Sequence, residues 1–387
     1  MAIPLKYNWR NLFVRKTSTM FTAGSIALTV AVFLTMMALA NGLKTAFIST
    51  GNPLNLIVLR QNSDTETNST IAPVDFQKIK YLDGIARDPS GMPIASAETI
   101  ILINLPRIDN PQGSNIIVRG LGEIGQQLRP QVQIKEGRWF RQGSREVVVS
   151  ESTSRRFVST QIGQHLRFGK SEWTVVGIFT AGGTAYDSEI WCDVNQLMND
   201  YNRTIYSSIM ARTTGREVLD GLAVRIKEDR NLRHDAMSET AYYAKQTSSA
   251  LPVQVLGTFI AILMAIGAAF AAMNAMYTAV ANRTREIGTL RVLGFSRFSI
   301  WLSFAIESVA LAFLGGLLGC LVAFPVNGMS TGTTNFSTFS EIAFQFRVSR
   351  ELIITGLVFS ALIGFIGGSL PALKAAREKI VNALRSR

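Results

Sequence analysis

The segment that decides the fold is a short basic linker, residues 283–298, with the sequence RTREIGTLRVLGFSRF. It separates two long apolar runs: residues 248–282, which carry no charged side chain, and residues 300–325, which carry only Glu307. Because about 20 apolar residues are enough to cross a bilayer as a helix, both runs are predicted to span a membrane. The linker carries four arginines against one acid, and short loops rich in arginine face the cytoplasm. We therefore predict a tight cytoplasmic turn between two membrane helices.

Apolar runs of this kind occur in four places along the 387 residues. They predict transmembrane helices at residues 20–43, 248–282, 300–325 and 351–371. The second run is longer than a bilayer requires, so its helix is expected to extend outward, with Pro252 as a candidate kink. Residues 44–247 have the composition of a soluble protein and enough length for their own core. The predicted fold class is an α-helical membrane protein with four transmembrane helices plus an α+β extracytoplasmic domain of two lobes.

The remaining segments are short. Residues 1–19 are predicted to form an interfacial helix on the cytoplasmic surface, with Trp9 at headgroup level, because apolar residues recur there at helical spacing among basic ones. A signal peptide is the alternative, but the apolar run that follows is too long and shows no evident cleavage site. The other segments are the cytoplasmic loop 283–299, an outer loop at 326–350 and a basic cytoplasmic tail at 372–387.

The net charge of +12 raises the question of nucleic-acid binding. Much of the positive charge, however, flanks the apolar runs, which is typical of topology determinants and of contact with anionic lipids. We therefore expect membrane lipids, and no nucleic acid, as partners of these residues. The two cysteines lie in different environments, Cys192 in the soluble region and Cys320 in an apolar run, so no disulfide is predicted.

The soluble region shows a mixture of strand and helix patterns. Runs rich in β-branched residues between turn signals predict strands at residues 54–59, 99–105, 115–119, 146–150, 173–179 and 207–211. Helical patterns are found at residues 74–81, 194–201 and 218–248. The order of these elements indicates two lobes, with residues about 130–204 inserted into the first.

The sequence offers no constellation typical of catalysis. Residues 164–171, QHLRFGKS, are similar to a phosphate-binding loop, but glutamine replaces the first glycine and a strand follows instead of a helix. This segment is predicted to be a β-turn. The two histidines, His165 and His234, have no metal-ligand spacing, and residues 187–189 (Asp-Ser-Glu) are interpreted as ordinary loop residues. No catalytic, cofactor-binding or metal-binding residue is predicted.

Two groups of intramembrane residues stand out. A carboxylate such as Glu307 inside an apolar run is costly and by default marks a functional site. The alternative is that Glu307 pairs with a linker arginine or a polar backbone group and only anchors its helix. Glycines spaced by four residues predict close helix packing rather than a transport pathway. They are Gly315, Gly319, Gly364 and Gly368.

The linker motif R-x-R-E-I-G-x-L-R-x-L-G at residues 283–294 resembles the permease subunit of FtsX/MacB-type ABC transporters. The soluble region is similar to that family's extracytoplasmic core domain at residues 137–140 (GRWF), 146–149 (EVVV), 162–166 (IGQHL) and 175–179 (VVGIF). The resemblance implies that the linker couples the permease to a separate ATPase. The candidate coupling residues are Arg283, Arg285, Glu286, Ile287, Gly288, Leu290, Arg291, Leu293 and Gly294.

The spacing within the linker suggests how such a contact would be made. Ile287, Leu290 and Leu293 recur every three residues, so they are predicted to share one helical face that fills an apolar groove of the partner. Glu286 and Arg291 are then expected at the rim, where they set orientation more than affinity. The alternative is a basic turn that needs no partner.

The resemblance implies a permease that couples ATP hydrolysis by a partner subunit to movement of its outer domain, a mechanism called mechanotransmission. The expected outcome is export of a periplasmic or envelope substrate, and the chain itself is not expected to be an enzyme. Implied partners are an ABC ATPase, a second permease copy (identical or related) and, in the exporter branch, a periplasmic adaptor and an outer-membrane channel. The implied location is the bacterial inner membrane, with the large domain in the periplasm.

Other functions remain open. Within the family, the alternatives are lipoprotein release and regulation of a cell-wall hydrolase. A different class is a membrane receptor with an extracytoplasmic sensor domain. The receptor interpretation is weaker, because the predicted cytoplasmic segments are too short to hold a signalling domain.

Overall fold

The computed structural model describes residues 16–378, so most of the predicted interfacial helix and the end of the predicted tail lie outside the described residues. The chain forms two compact units. The helical unit contains the described residues up to Asn41, Pro252–Met329 and the residues from Phe346 onward. The sheet unit contains Gly42–Leu251 and Ser330–Gln345.

The secondary structure elements are numbered in chain order. The helices are α1 (Lys16–Ile48), α2 (Pro73–Lys80), α3 (Glu151–Arg156), α4 (Val194–Asp200), α5 (Arg216–Glu228), α6 (Glu239–Gln246), α7 (Leu251–Ala281), α8 (Thr284–Val292), α9 (Arg297–Ala323) and α10 (Arg350–Arg377). The strands are β1 (Asn55–Arg60), β2 (Ala95–Leu105), β3 (Ser114–Leu121), β4 (Gln133–Gly137), β5 (Glu146–Ser150), β6 (His165–Phe168), β7 (Ser171–Thr180), β8 (Glu189–Asp193), β9 (Ser208–Arg212), β10 (His234–Ser238), β11 (Ser330–Thr334) and β12 (Glu341–Gln345).

Within the described residues, four helical stretches are long and apolar enough to cross a membrane. They are Thr19–Ile48, Glu239–Ala281, Arg297–Val326 and Arg350–Arg377. The second stretch combines α6, a 3-10 turn at Thr247–Ala250 and α7. Pro252 is the second residue of α7, where its missing N–H cannot donate an α-helical hydrogen bond. Small residues of α7 and α9, among them Ala268, Ala272 and Ala312, pack against larger side chains of α1 in the core of the unit.

The sheet unit is built on ten strands in the order β10-β1-β9-β2-β3-β8-β5-β7-β4, with β6 paired to β7. Two cores make it a two-lobed α+β domain. The first lobe packs β1, β9, β10 and the start of β2 against α2 and α5. The second lobe encloses a core from the rest of β2, from β3 and from β5 to β8. Strands β4 to β8 lie together on the β3 side, and the chain returns through β9 between β1 and β2.

The strands predicted from β-branched runs are present, each within a few residues of its expected ends. The helix predicted at residues 218–248 is interrupted by a strand, so the prediction is wrong only for the middle of this range. Helix α5 ends at Glu228, and β10 follows as the antiparallel partner of β1, with Leu56 opposite Ser238 and Arg60 opposite His234. The sequence of β10, His-Asp-Ala-Met-Ser, has weak strand propensity, so pairing with β1 overrides local preference here.

The segment similar to a phosphate-binding loop is a β-hairpin, as predicted. Strands β6 and β7 pair antiparallel, with Phe168 opposite Ser171. Gly169 in the connecting turn has a φ of 63°, a conformation that glycine adopts at little cost. A strand therefore follows the Gly-Lys-Ser sequence, and no helix N-terminus is present to bind a phosphate.

The interval predicted as an outer loop at 326–350 contains an ordered hairpin, β11–β12, which belongs to the sheet unit. The carboxylate of Glu341 accepts hydrogen bonds from Arg107 Nη1 at 3.1 and 3.2 Å and also pairs with Arg156. Ser188 Oγ accepts from the Ala343 N–H at 2.6 Å. Alternation of small and threonine residues in β11 suits a strand, although a sequence rich in Ser, Thr and Gly suggested a loop.

Candidate functional site

The linker consists of one short helix and one tight turn. Helix α8 begins after Arg283, and Leu293 and Gly294 follow its end. Gly294 has a φ of 91°, the left-handed conformation common just after a helix. Ser296 Oγ then caps α9 by accepting a hydrogen bond from the Ser299 N–H at 3.1 Å. These local features give the linker a defined shape.

One face of α8 is packed inside the helical unit. Ile287 is 2% exposed, and Gly288 is buried beside it. The cluster around Ile287 consists of Met276, Ala279, Val280, Ile300, Phe304, Ala372, Ala375 and Ala376. Because small residues of α7 and α10 make room for its side chain, Ile287 belongs to the core. The prediction that it shares a partner-facing side with Leu290 and Leu293 is therefore wrong.

The other side of the linker exposes large apolar side chains. The exposed fractions are 61% for Val292, 66% for Leu293 and 65% for Phe298, and Leu290 is half-buried. We call Val292, Leu293 and Phe298 the exposed linker residues. Apolar side chains grouped on a short surface segment are typical of a surface that a partner covers.

The two charged residues expected at the rim differ in their surroundings. The side chain of Glu286 is 54% exposed and accepts a hydrogen bond from Arg283 Nε at 3.0 Å. Arg291 is half-buried, and its Nη1 donates to the Phe295 carbonyl at 3.4 Å. Arg291 therefore contacts the turn of its own linker, whereas Glu286 pairs with Arg283 at the surface.

Arg283 links the start of the linker to the polar residue of α9. Its Nη1 donates to Glu307 Oε2 at 3.0 Å, and both side chains are about nine-tenths buried. The guanidinium carbon lies 5.2 Å from the centre of the Phe304 ring, a distance suited to a cation–π interaction. Of the two interpretations of Glu307, this geometry favours the anchoring one, because a charge inside an apolar unit needs a partner.

The four glycines singled out by their spacing lie at close helix crossings. A Cβ at Gly315 would lie 2.8 Å from the carbonyl oxygen of Ala23, and one at Gly319 would lie 2.7 Å from that of Ala27. On the facing helix, Gly364 and Gly368 contact the turn of α9 that contains Ser308. The Ser308 hydroxyl donates to the Gly364 carbonyl at 2.7 Å. These contacts fit the small-residue packing of membrane helices.

A pair of glycine substitutions measures this packing. Gly319→Ala is expected to lower the free energy of unfolding by about 1–3 kcal/mol, because backbone atoms must move to admit the methyl group. Gly267→Ala is the matched control: a Cβ there meets nothing within 4 Å, so we expect no loss or a gain of about 0.5–1 kcal/mol. Thermal unfolding in detergent compares the two. Equal stability of both variants would contradict the close crossing of α1 and α9.

The sheet unit contains a buried cluster of charges that the sequence did not reveal. The Arg119 guanidinium donates to Glu66, Glu98 and Glu189 at distances of 2.7 to 3.0 Å. Arg129 donates to Glu98 at 2.7 and 2.8 Å. Burial opposes the charge of both arginines, but the facing carboxylates hold the pKa of each well above its usual value. Glu189, interpreted from sequence as a loop residue, is instead a buried strand residue that pairs with Arg119.

A second buried carboxylate, Glu239, lies at the start of α6. Its Oε2 accepts hydrogen bonds from the Asn52 N–H and from Asn55 Nδ2, both at 2.8 Å. The Tyr186 hydroxyl donates to Oε1. Burial raises the pKa of Glu239, and the nearby Arg129 charge and these hydrogen bonds offset only part of the effect.

The raised pKa of Glu239 predicts a pH-dependent stability. The folded state favours the protonated acid more strongly than the unfolded chain does. The stability that Glu239 contributes is therefore complete below the usual pKa of 4.5 and is lost as the pH rises through the folded pKa. Glu239→Gln cannot titrate. We expect the stability of the wild type relative to this variant to fall as the pH rises from 4.5, by at most about 1.4 kcal/mol per pH unit. Urea unfolding at several pH values measures this difference, and a constant difference would contradict the raised pKa.

Within residues 16–378, no three or more His, Cys, Asp or Glu side chains are arranged to hold a metal ion. The two cysteines are free: Cys192 is buried in the sheet unit, and Cys320 is partly buried in α9. His234 pairs with a carboxylate of the same unit: its Nε2 lies 3.2 Å from Asp75 Oδ2.

Four apolar helices with a mixed α+β domain between the first two define a multi-pass membrane protein. Two family models match this chain: the MacB-like periplasmic core domain over residues 19–229 and the FtsX-like permease C-terminal region over residues 258–380. The chain therefore belongs to the FtsX/MacB-type ABC transporter permease family.

Two relatives and one solved structure are similar to this chain. The ABC transporter permease YknZ of Bacillus subtilis (strain 168) is 23% identical over 97% of this chain and 96% of its own length. The macrolide export ATP-binding/permease protein MacB of Photorhabdus laumondii is 24% identical over 97% of this chain, which spans only 59% of the length of that relative. The crystal structure of the periplasmic region of MacB from Actinobacillus actinomycetemcomitans aligns with 52% of this chain and 95% of its own, at 16% identity and a TM-score of 0.38.

Proposed function

We propose that this chain is the membrane subunit of an ABC transporter of the mechanotransmission type, which passes the work of a separate ATPase to an extracytoplasmic domain. The observation that carries the proposal is the linker between α7 and α9. Its inward face is fixed in the core through Ile287 and Arg283, and its outer side exposes Val292, Leu293 and Phe298. An exposed apolar surface on a basic segment suits a protein partner that covers it.

The helical stretch that precedes this linker supports the same proposal. The stretch Glu239–Ala281 contains 43 residues, which corresponds to about 65 Å at 1.5 Å per residue. This length exceeds the roughly 30 Å hydrocarbon core of a bilayer. A displacement applied at Arg283 would therefore enter a helical stretch that is longer than the hydrocarbon core is thick.

The proposed topology follows the distribution of charge. The linker, with its four arginines, faces the cytoplasm by the positive-inside rule. The sheet unit then lies outside, in the periplasm, and the protein is located in the bacterial inner membrane. A second permease copy is the proposed neighbour in the membrane, either identical or related.

The proposed outcome is export of a periplasmic or envelope substrate. The printed names of the MacB relatives describe macrolide export, and a periplasmic adaptor and an outer-membrane channel are proposed as further partners of an exporter. Lipoprotein release and regulation of a cell-wall hydrolase are alternatives for the same machinery. A receptor function has no specific observation in its favour.

Co-expression with the ABC ATPases encoded in the same genome tests the proposal. We expect one of them to co-elute with the chain in lipid nanodiscs, and its rate of ATP hydrolysis to differ several-fold from that of the ATPase alone. The control is the same ATPase with nanodiscs that contain no permease. If no ATPase binds, or if binding leaves hydrolysis unchanged, the chain does not act as an ATP-driven permease.

A further inference from the structure

We propose that Glu239 is the positioning residue through which the long helix Glu239–Ala281 moves both lobes of the sheet unit together. This inference rests on the proposed function, because it names the place where the transmitted displacement enters the domain. It concerns only residues of the sheet unit and the helix that continues from them.

Glu239 occupies the position where the sheet becomes a helix. Strand β10 ends at Ser238, whose Oγ accepts a hydrogen bond from the Ala241 N–H at 3.2 Å and so caps α6. Through β10, the residue before Glu239 is paired with Leu56 of β1. A movement of α6 along or about its axis therefore reaches the sheet at Glu239.

The carboxylate of Glu239 contacts three different parts of the domain. Asn52 follows α1 after the chain leaves that helix at Ile48, and Asn55 begins β1 in the first lobe. Tyr186 lies in the 3-10 turn before β8, which belongs to the second lobe. Each of the three donates a hydrogen bond to Glu239. One side chain thus joins the exit of the first long helix, the first lobe and the second lobe to the start of the second long helix.

The backbone segments around this carboxylate are in direct contact. A Cβ at Gly51 would lie 2.6 Å from the Cα and N of Thr240, so the two chain segments are in backbone contact. Thr50 Oγ1 accepts from the Ala185 N–H at 2.8 Å, and Gln131 Nε2 donates to the Thr50 carbonyl at 3.1 Å. A junction this tightly packed transmits displacement instead of absorbing it.

The chemistry of a carboxyl group fits this role better than that of a smaller side chain. Two oxygens can accept from three converging donors, whereas alanine would remove this acceptor from all three in a site that is 0% exposed. Asn55 Nδ2 would keep only its bond to the Leu128 carbonyl at 3.0 Å. Buried donors that lose an acceptor destabilise the folded state. The segments that carry these donors would therefore rearrange. Glutamine keeps one carbonyl oxygen for Asn52 and Asn55, so it should preserve most of the junction.

Hydrogen–deuterium exchange of the complete permease–ATPase complex in nanodiscs tests the inference. The comparison is with and without a non-hydrolysable ATP analogue. In the wild type, we expect nucleotide to change exchange in α7 and also in residues 49–55 and 181–189. In Glu239→Ala, the change in α7 should persist while the change in both outer segments is lost. Glu239→Gln should retain most of the wild-type response, which a general loss of stability would not predict.

Two further variants test a single hydrogen bond and provide a control. Tyr186→Phe removes only the hydroxyl that donates to Glu239, so the response should be lost in residues 181–189 and kept in residues 49–55. This variant also serves if Glu239→Ala fails to fold. Glu151→Ala is the matched control: it removes a carboxylate of the same unit that pairs at the surface with Lys135 and Arg155, and we expect the full wild-type response.

The outcomes separate this inference from the function on which it rests. A wild-type complex that responds to nucleotide, with Glu239→Ala and Tyr186→Phe responding equally, overturns the role of Glu239 and leaves the proposed function intact. A wild-type complex without any nucleotide response outside α7 and the linker removes mechanotransmission and this inference together.

Discussion

Leu293→Asp is expected to abolish binding of the ATPase while the permease still inserts and folds. Leu293 is 66% exposed, so aspartate at this position costs the isolated chain little. In a complex, the same carboxylate would be buried without a partner, and a buried unpaired charge costs several kcal/mol. A loss of only about 3 kcal/mol corresponds to more than a hundredfold weaker binding. Co-elution and permease-dependent ATP hydrolysis measure the effect.

Two comparison variants make this result specific. Val224→Asp introduces the same charge at an apolar residue of α5 that is 54% exposed, and it should leave ATPase binding unchanged. Ile287→Asp places the charge in the core of the helical unit, and it should reduce the amount of folded protein instead. If Leu293→Asp binds the ATPase as the wild type does, the exposed linker residues are not the contact surface.

Glu307→Leu is expected to destabilise the helical unit by about 3–5 kcal/mol, because it leaves the charge of the buried Arg283 without its partner in α9. The exchange Arg283→Glu with Glu307→Arg restores opposite charges and should recover part of the lost stability. Glu307→Gln keeps a hydrogen-bond acceptor within 3.0 Å of Arg283 Nη1 and should preserve folding and most transport. Protein abundance, thermal unfolding and ATPase binding are measured for each variant.

The same series decides between the two interpretations of Glu307. An anchoring role requires that stability and transport change together across the variants. Glu307→Gln with normal abundance and normal ATPase binding but without transport would contradict the anchoring role. Glu307 would then take part in the transport cycle through its charge.

The sequence predicted the architecture because its strongest signals are local. Uncharged runs longer than 18 residues predict membrane helices, and β-branched runs such as residues 146–150 match β5 at both ends. The glycines of α9 and α10 were predicted to pack closely from their spacing alone. In the linker, the spacing identified apolar residues correctly but could not show that Ile287 faces the core and Leu293 does not.

The features that local patterns missed depend on contacts between distant residues. Asn52 and Glu239 are 187 positions apart, and Glu66 and Arg119 are 53 apart. A single glutamate in a polar stretch gives no signal that it will be buried opposite an arginine from another strand. Strand β10 was missed for the same reason, since its partner β1 lies far away along the chain and its own residues have little strand preference.

The hairpin β11–β12 limits how this protein can be recombined with its relatives. A chimera that exchanged only the long insert between the first two membrane helices would bring a foreign surface against Glu341 and separate it from Arg107 and Arg156. It would also remove Ser188, which accepts the hydrogen bond from Ala343. The domain is one structure encoded in two pieces, so the hairpin and the insert have to be inherited or grafted together.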